Sequence, residues 1–373
     1  MSMQFARVLA FVLALAGVAH AAGKLAPAPV RCDRALFDGR EKYNQNLSGA
    51  VCFPAPGGSS TCYVISDERT GLQQISVSRR SDGSYACRAG RIIARNKGLP
   101  CLRGKKAERD FEGIASDGRN IYITGSWGNT RKKNADKAPE RWVLVRQPID
   151  ATGQLAGGCQ ALTRKTLKGF VKSNIRDLYP FVDSPLQCGG LNIEGLTARA
   201  GKLLFGLRSP SNRRTGLAFV FEADTAKMFA GQTRAAGGRI MPLLVPYGKT
   251  GVGVRALETL PDGRVLVVTG NAGVSTGKLS SRGKDNVNAK CNPPRRPYYR
   301  NTKGRLPAGL WLWNPATGNT KGIGAIAGKY GGRKLEGVAL LSQKHEKVTL
   351  LLVFDDVDND RLSPLAVIQV VLP

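Results

Sequence analysis

The chain has 373 residues, and its 56 Lys and Arg against 27 Asp and Glu give a formal net charge of +29, which favours anionic partners such as lipopolysaccharide, acidic glycans or nucleic acid. Only two histidines occur, one of them in the leader described next, which argues against a Cys/His zinc site and leaves a Ser-His-Asp hydrolase without its base. Beyond the first residues no apolar run reaches the ~20 residues that a membrane helix requires.

Residues 1–21 read as a secretory signal peptide. Arg7 supplies the early positive charge, Val8 to Val18 the apolar stretch, and Ala19-His20-Ala21 a small-x-small cleavage site. The expectation is export, to a bacterial periplasm or the extracellular space, of a single β domain over 22–373. Oligomeric state is not legible.

Eight cysteines follow, at 32, 52, 62, 87, 101, 159, 188 and 291, and in an oxidising compartment they predict disulfides. Cys52 and Cys62 flank PAPGGSST inside a hairpin pattern and are expected to pair. For the others, nearness in sequence suggests Cys87 with Cys101, Cys159 with Cys188, and Cys32 with Cys291.

After residue 40 the pattern is short apolar strands and turn dipeptides, with no convincing long amphipathic helix, so the chain reads as all-β. One phrase recurs. LSGAVCFPAPGGSSTCYVISDE starts at Leu47, DFEGIASDGRNIYITGS at Asp110, NIEGLTARAGKLLFGLRS at Asn192, VRALETLPDGRVLVVTGN at Val254, and KLEGVALLSQKHEKVTLLLVFDD at Lys334. Each is a strand, a turn and a second strand, and the position near its head holds Ser48, Glu112, Glu194, Arg255 or Glu336. Further strand-like stretches such as LQQISV, WVLVRQPID and LAFVFEAD follow. Units of about four strands, roughly 60 to 80 residues apart, predict a β-propeller of five to six blades, with a β-sandwich carrying long hairpins as the alternative. In a propeller the phrase heads converge on the axis.

The set DFEG at Asp110, LNIEGL at Leu191 leading to GLRSP at Gly206, VRALETLPDG at Val254, LEGV at Leu335 and FDD at Phe354 resembles the bacterial family called domain of unknown function 3616, over roughly residues 45 to 372. The resemblance implies a β-propeller and supplies no reaction or catalytic residue. Where that family tends to have Arg-Asp in the fourth phrase, this chain has Arg255-Ala256.

Glu112, Glu194 and Glu336 then admit two readings. As a ring of axial carboxylates they bind a metal or act as acid and base. As structural groups they accept backbone amide hydrogens from the next blade, while the following glycine permits close approach; repetition in several blades favours this second reading. The second strands end less uniformly, at Ser66-Asp67-Glu68, Ser126-Trp127, Arg208-Ser209, Asn271 and Asp355-Asp356, and such variation on a repeated scaffold is where a ligand site is built. Arg208 and Arg255 are candidates to hold a phosphate or carboxylate, Trp127 to stack on a ligand, and Asn271 to hydrogen-bond it.

Asp355, Asp356, Asp358 and Asp360 are candidate Ca²⁺ ligands. The last three have the opening spacings of a calcium loop, which then fails at Arg361 and Val367. AGVSTGKL at Ala272 imitates a phosphate loop but has Leu279 at the Mg²⁺-binding position. Residues 275–307 form a long basic insertion with Arg295, Arg296, Tyr298, Tyr299 and Arg300, read as a solvated loop ahead of a nucleic-acid site. His345 sits in a turn pattern. The functional expectation is an exported propeller that binds an anionic ligand or envelope partner, with no cofactor required and Ca²⁺ the candidate ion. The alternative is a Ca²⁺-assisted phosphoesterase.

Overall fold

The computed structural model describes residues 23–39, 46–55, 57–67, 71–94, 99–102, 109–129, 138–184, 190–212, 217–245, 252–271, 308–355 and 363–373. Two short strands, β1 (Gly23–Leu25) and β2 (Ala28–Pro29), precede five sheets. Blade 1 holds β3 (Leu47–Pro54), β4 (Ser59–Ser66), β5 (Gly71–Arg79) and β6 (Tyr85–Ala94). Blade 2 holds β7 (Phe111–Ser116), β8 (Asn120–Gly125), β9 (Val143–Pro148) and β10 (Gln160–Thr163). Blade 3 holds β11 (Asn192–Arg199), β12 (Lys202–Asn212), β13 (Leu217–Asp224) and β14 (Arg239–Leu244). Blade 4 holds β15 (Val252–Thr259), β16 (Val265–Asn271), β17 (Gly309–Trp313) and β18 (Thr320–Ile326). Blade 5 holds β19 (Lys334–Lys344), β20 (Lys347–Asp355) and β21 (Leu365–Val371). The first strand of each blade touches the first strand of the next, and β19 meets β3, so the sheets form a five-bladed β-propeller with β3, β7, β11, β15 and β19 around its axis. The sandwich alternative is not adopted.

Each repeated phrase is the inner hairpin of one blade. Asp117 closes the β7–β8 turn by accepting the N–H groups of Arg119 and Asn120 at 2.9 and 2.7 Å, and Gly118 supplies the left-handed backbone that the turn requires, φ 84°. His345 lies exposed in the β19–β20 turn, as its sequence context predicts.

Blades are stable only together, because each sheet buries both faces. Strand β20 illustrates this: Val348, Leu350, Leu352 and Phe354 pack against blade 4, while Leu351 and Val353 between them pack against blade 1. A strand covered on both sides therefore reads as an unbroken apolar run rather than an alternating one. The same logic gives five hydrophobic clusters, one at each interface between neighbouring blades.

Toward the axis the inner strands crowd, and the residue after the phrase head must be small. A Cβ on Gly113 of blade 2 would fall 2.7 Å from the Leu196 Cβ of blade 3, and one on Gly337 of blade 5 would fall 2.8 Å from the Gly49 Cα of blade 1. Both approaches are closer than carbon atoms tolerate.

The N-terminal segment closes the ring from outside. β1 adds a parallel fifth strand to β18 of blade 4, β2 pairs with β21 as the fourth strand of blade 5, and Cys32 bridges to Cys87 on β6 of blade 1. Five strand residues and one disulfide thus tie three blades together at the rim. Cys52 pairs with Cys62 as expected, at directly opposed positions of β3 and β4. The other proximity pairings are corrected: Cys32 joins Cys87 and Cys101 joins Cys159, while Cys188 and Cys291 lie outside the described residues. Sheet edges bring residues 55 and 58 positions apart into contact, so nearness along the chain was the wrong guide.

Two short α-helices occur among the described residues. α1 (Arg164–Asn174) leaves β10 and buries Leu167, Phe170 and Val171 between blades 2 and 3; α2 (Thr225–Phe229) follows β13, with Asp224 capping it by accepting the Lys227 N–H at 2.9 Å. No helix among the described residues is long and apolar enough to cross a membrane. Residues 1–21 and the insertion 275–307 lie outside the described residues, as do Asp356, Asp358 and Asp360.

Gly113→Ala is expected to destabilise the protein by about 1–3 kcal/mol through overpacking against Leu196, seen as a lowered midpoint in thermal or urea unfolding. A second outcome concerns Glu258 on β15, which accepts the N–H of Leu340 on β19 at 3.0 Å. Burial pushes its carboxyl up to about 7, the hydrogen bond opposing the shift. In the unfolded chain the group ionises near about 4.3. The stability it contributes is therefore fully present below about pH 4 and is lost as pH rises through about 7. Glu258→Gln should match the parent at pH 4 and exceed it by about 1–3 kcal/mol at pH 8 in urea denaturation.

Candidate functional site

Ser48, Glu112, Glu194, Arg255 and Glu336 share one backbone device. In each blade the register between the inner and second strands skips one residue at this position; blade 3 has a further irregularity at Asn192/Ile193 and blade 5 at Leu340/Ser342. Leu47 opposes Ser66 and Gly49 opposes Ile65, leaving Ser48 unpaired; Leu335 opposes Phe354 and Gly337 opposes Val353, leaving Glu336 unpaired. A β-bulge bends the strand and re-aims the extra side chain. Five bulges at equivalent places put five side chains at one end of the axis.

Three of them form a single ionic assembly. Arg255 donates from Nη1 to Glu194 Oε2 at 2.7 Å and to both Glu336 oxygens at 2.8 and 3.0 Å, and from Nη2 to the backbone oxygen of Asn271 at 2.7 Å. Arg208, from the second strand of blade 3, donates to Glu194 Oε1 at 2.6 Å. Glu194, Arg255 and Glu336 are 2%, 6% and 6% exposed. Burial by itself would lower the Arg255 guanidinium, but Glu194, Glu336 and Glu112 together push it up. Burial raises the Glu336 carboxyl to about 7, with Arg255 pulling against it. Beside this assembly Lys334 pairs with Asp355 at 2.6 Å.

The expected backbone-amide partners for the glutamates are thus replaced by arginine side chains. Arg255 ties blades 3, 4 and 5, and Arg208 and Arg255 are both engaged by protein carboxylates. Asn271 contributes its carbonyl to that network. Ser48 donates its hydroxyl to the carbonyl of Phe111 and links blade 1 to blade 2.

Glu112 differs from the other two glutamates. Among the described residues it forms no ion pair, and it lies with Asp67, beside the end of β4, and Asp110; one carboxylate oxygen from each of the three falls within 4.8 Å of the others. Asp110 is held from the other side by Arg141 at 3.1 Å and takes a left-handed backbone, φ 51°. Burial pushes the Glu112 carboxyl well above the usual range, and Asp110, Glu194, Asp67 and Glu336 push it further in the same direction. An all-oxygen cluster of this span suits a hard cation, since ligands 2.3–2.6 Å from a Ca²⁺ ion lie no more than about 5 Å apart.

Trp127 is corrected as a stacking platform. It is fully buried, stacks on Trp142 at 5.8 Å, packs against Phe205 and Phe221, and donates its indole N–H to the carbonyl of Val143 at 3.1 Å. Asp355 is at the site but paired with Lys334. Sequence reasoning passed over Asp110, Arg141 and Lys334; Asp110, two residues before the bulged Glu112 in DFEG, was the one with a visible signal.

Arg255→Met is expected to cost about 3–5 kcal/mol in urea denaturation, because it strands the buried Glu336 carboxylate and leaves Glu194 with Arg208 alone. Adding Glu194→Gln and Glu336→Gln to it should recover much of that loss. Full recovery failing to appear in any degree would mean the arginine acts through packing alone.

No curated protein matches the sequence. Several solved structures align over most of the chain at low identity. An α-L-arabinofuranosidase from Podospora anserina in complex with cellotriose aligns at 9% identity and a TM-score of 0.43, covering 94% of this chain and 99% of that one. A mannose phosphorylase from Leishmania mexicana in complex with phosphate ion aligns at 9% and 0.38, over 99% and 93%. An exo-β-1,3-galactanase from Phanerochaete chrysosporium with galactose aligns at 6% and 0.41, over 91% and 63%. Residues 50–147, which span most of blade 1 and the first three strands of blade 2, match the family described as Protein of unknown function (DUF3616), the family that the repeated phrases resemble.

Proposed function

We propose that the axial end of this propeller is a divalent-cation site, with Ca²⁺ the fitting ion, and that the bound cation receives an anionic group of a ligand outside the cell. Glu112 carries the reading: a carboxyl beside other carboxyls that forms no ion pair among the described residues is unfavourable as a bare anion, and a cation relieves that cost. Asp67 and Asp110 provide the other oxygens, and the ion keeps positions open to water or ligand. The three disulfides support export, since such bridges persist in oxidising compartments.

The phosphoesterase reading requires arginines turned toward a phosphate. Arg208 and Arg255 instead direct hydrogen bonds to Glu194 and Glu336, which favours a binding protein over that enzyme.

Ca²⁺ should raise the melting temperature of the purified protein in a saturable way, and Glu112→Gln or Asp67→Asn should remove at least ten-fold of the affinity while leaving the metal-free melting temperature within a few degrees. Because the proton on Glu112 competes with the ion, affinity should rise as pH increases through the raised carboxyl range. Calorimetric titration that finds no saturable Ca²⁺ binding, or equal binding by Glu112→Gln, would overturn the proposal.

A further inference from the structure

The outer edge of blade 1 carries a second feature, remote from the axis. Strands β5 and β6 place Ser76 opposite Arg88 and Ser78 opposite Ala86 on one face, and Arg80 continues the same face beyond β5. On that side a cleft of about 590 Å³ opens, completed by Arg31 and Asp33 from the N-terminal segment. Arg31 reaches it because the adjacent Cys32 is bridged to Cys87 on β6. Asp33 offsets only part of this charge: its Oδ1 accepts the Ala89 N–H at 2.9 Å, and its Oδ2 lies 3.8 Å from the Arg88 Nε, a loose ion pair that leaves the cleft with a positive excess. Arg34, by contrast, is turned away and donates to the carbonyl of Ala89 at 3.1 and 2.8 Å.

We propose that this cleft binds a phosphate group, gripped by Arg31, Arg80 and Arg88 and hydrogen-bonded by Ser76 and Ser78. Guanidinium groups offer paired donors that match phosphate oxygens, and hydroxyls complete the shell without adding charge. Three arginines converge from separate stretches of chain, 31, 80 and 88, which distinguishes the cleft from the general basic surface. The site is independent of the axial cation site and needs no metal. It also depends on the disulfide, since Arg31 belongs to the segment that Cys32 pins in place.

The same chemistry is offered by a soluble phosphorylated sugar and by an anionic lipid headgroup, and the test separates them. The purified protein is titrated calorimetrically with glucose 6-phosphate in the presence of a chelator, and is sedimented with vesicles of phosphatidylcholine containing one-fifth phosphatidylglycerol. The variant Arg31→Gln/Arg80→Gln/Arg88→Gln is compared with the charge-matched control Lys165→Gln/Arg176→Gln/Lys321→Gln, whose residues are exposed elsewhere on the molecule. Expected is at least a ten-fold loss of affinity for one probe or both in the cleft variant and less than a two-fold change in the control. Binding to the sugar phosphate alone assigns a soluble ligand, and binding to vesicles identifies a headgroup. Equal losses in both variants would reduce the effect to net charge and overturn the site, as would the absence of saturable binding to either probe. Cys32→Ser/Cys87→Ser, checked for folding by circular dichroism, should weaken binding in the same direction; full affinity in that folded variant would refute the role given to Arg31.

Discussion

The structure turns on one guanidinium. Three blades bring buried acidic or basic side chains to the axis at the same backbone bulge, and an isolated buried charge there would cost several kcal/mol. Arg255 answers two such carboxylates at once, Glu194 from the preceding blade and Glu336 from the following one, and Arg208 completes Glu194. The pairing is cooperative in the geometric sense: the carboxylates can be buried because the blades converge, and the blades converge without penalty because the carboxylates are paired. Hydrophobic interfaces between blades supply the bulk of the stabilisation, but they are non-directional. The ionic assembly adds direction at the point where five strands crowd together.

That assembly is also what leaves the site asymmetric. Blades 3, 4 and 5 are tied by charge, whereas blades 1 and 2 are tied by the Ser48 hydroxyl and carry the acidic group of Asp67, Asp110 and Glu112. Identical scaffold positions thus serve opposite ends. Where an arginine stands, neighbouring acids pair with it; where a serine stands, three acids lie together, Asp110 among them paired to Arg141. The repeat of acids at the bulge is broken at Ser48 and Arg255.

Much of the architecture was legible because the repeat was legible. The head positions Ser48, Glu112, Glu194, Arg255 and Glu336 align in sequence and do occupy equivalent bulges. The small residue after each of them, glycine in four and Ala256 in the fifth, marks a close approach, as Gly113 and Gly337 show directly. Other features left weaker traces. Helix α1 is short, and Leu167, Phe170 and Val171 have helical spacing that a search for long amphipathic patterns passes over. β1 and β2 together comprise five residues, too few for periodicity to register. Trp127 looked like a ligand platform at the end of a strand, yet a large aromatic at a blade interface is worth more as buried area than as an exposed face.

Sequence alone determined the class of the molecule: apolar strands in repeated units, each unable to cover both of its faces, point to an all-β ring of five to six blades, and the structure closes it at five. Tertiary structure alone decided the partners. Whether a glutamate meets an arginine, a serine or another acid depends on which blades adjoin at the axis, and that juxtaposition spans 61 residues between Glu194 and Arg255 and 81 between Arg255 and Glu336. The same holds at the rim, where Cys32 finds Cys87 through a sheet edge rather than through the cysteines nearest in sequence. Local pattern encodes what each strand must bury; which charge answers which is a property of the closed ring.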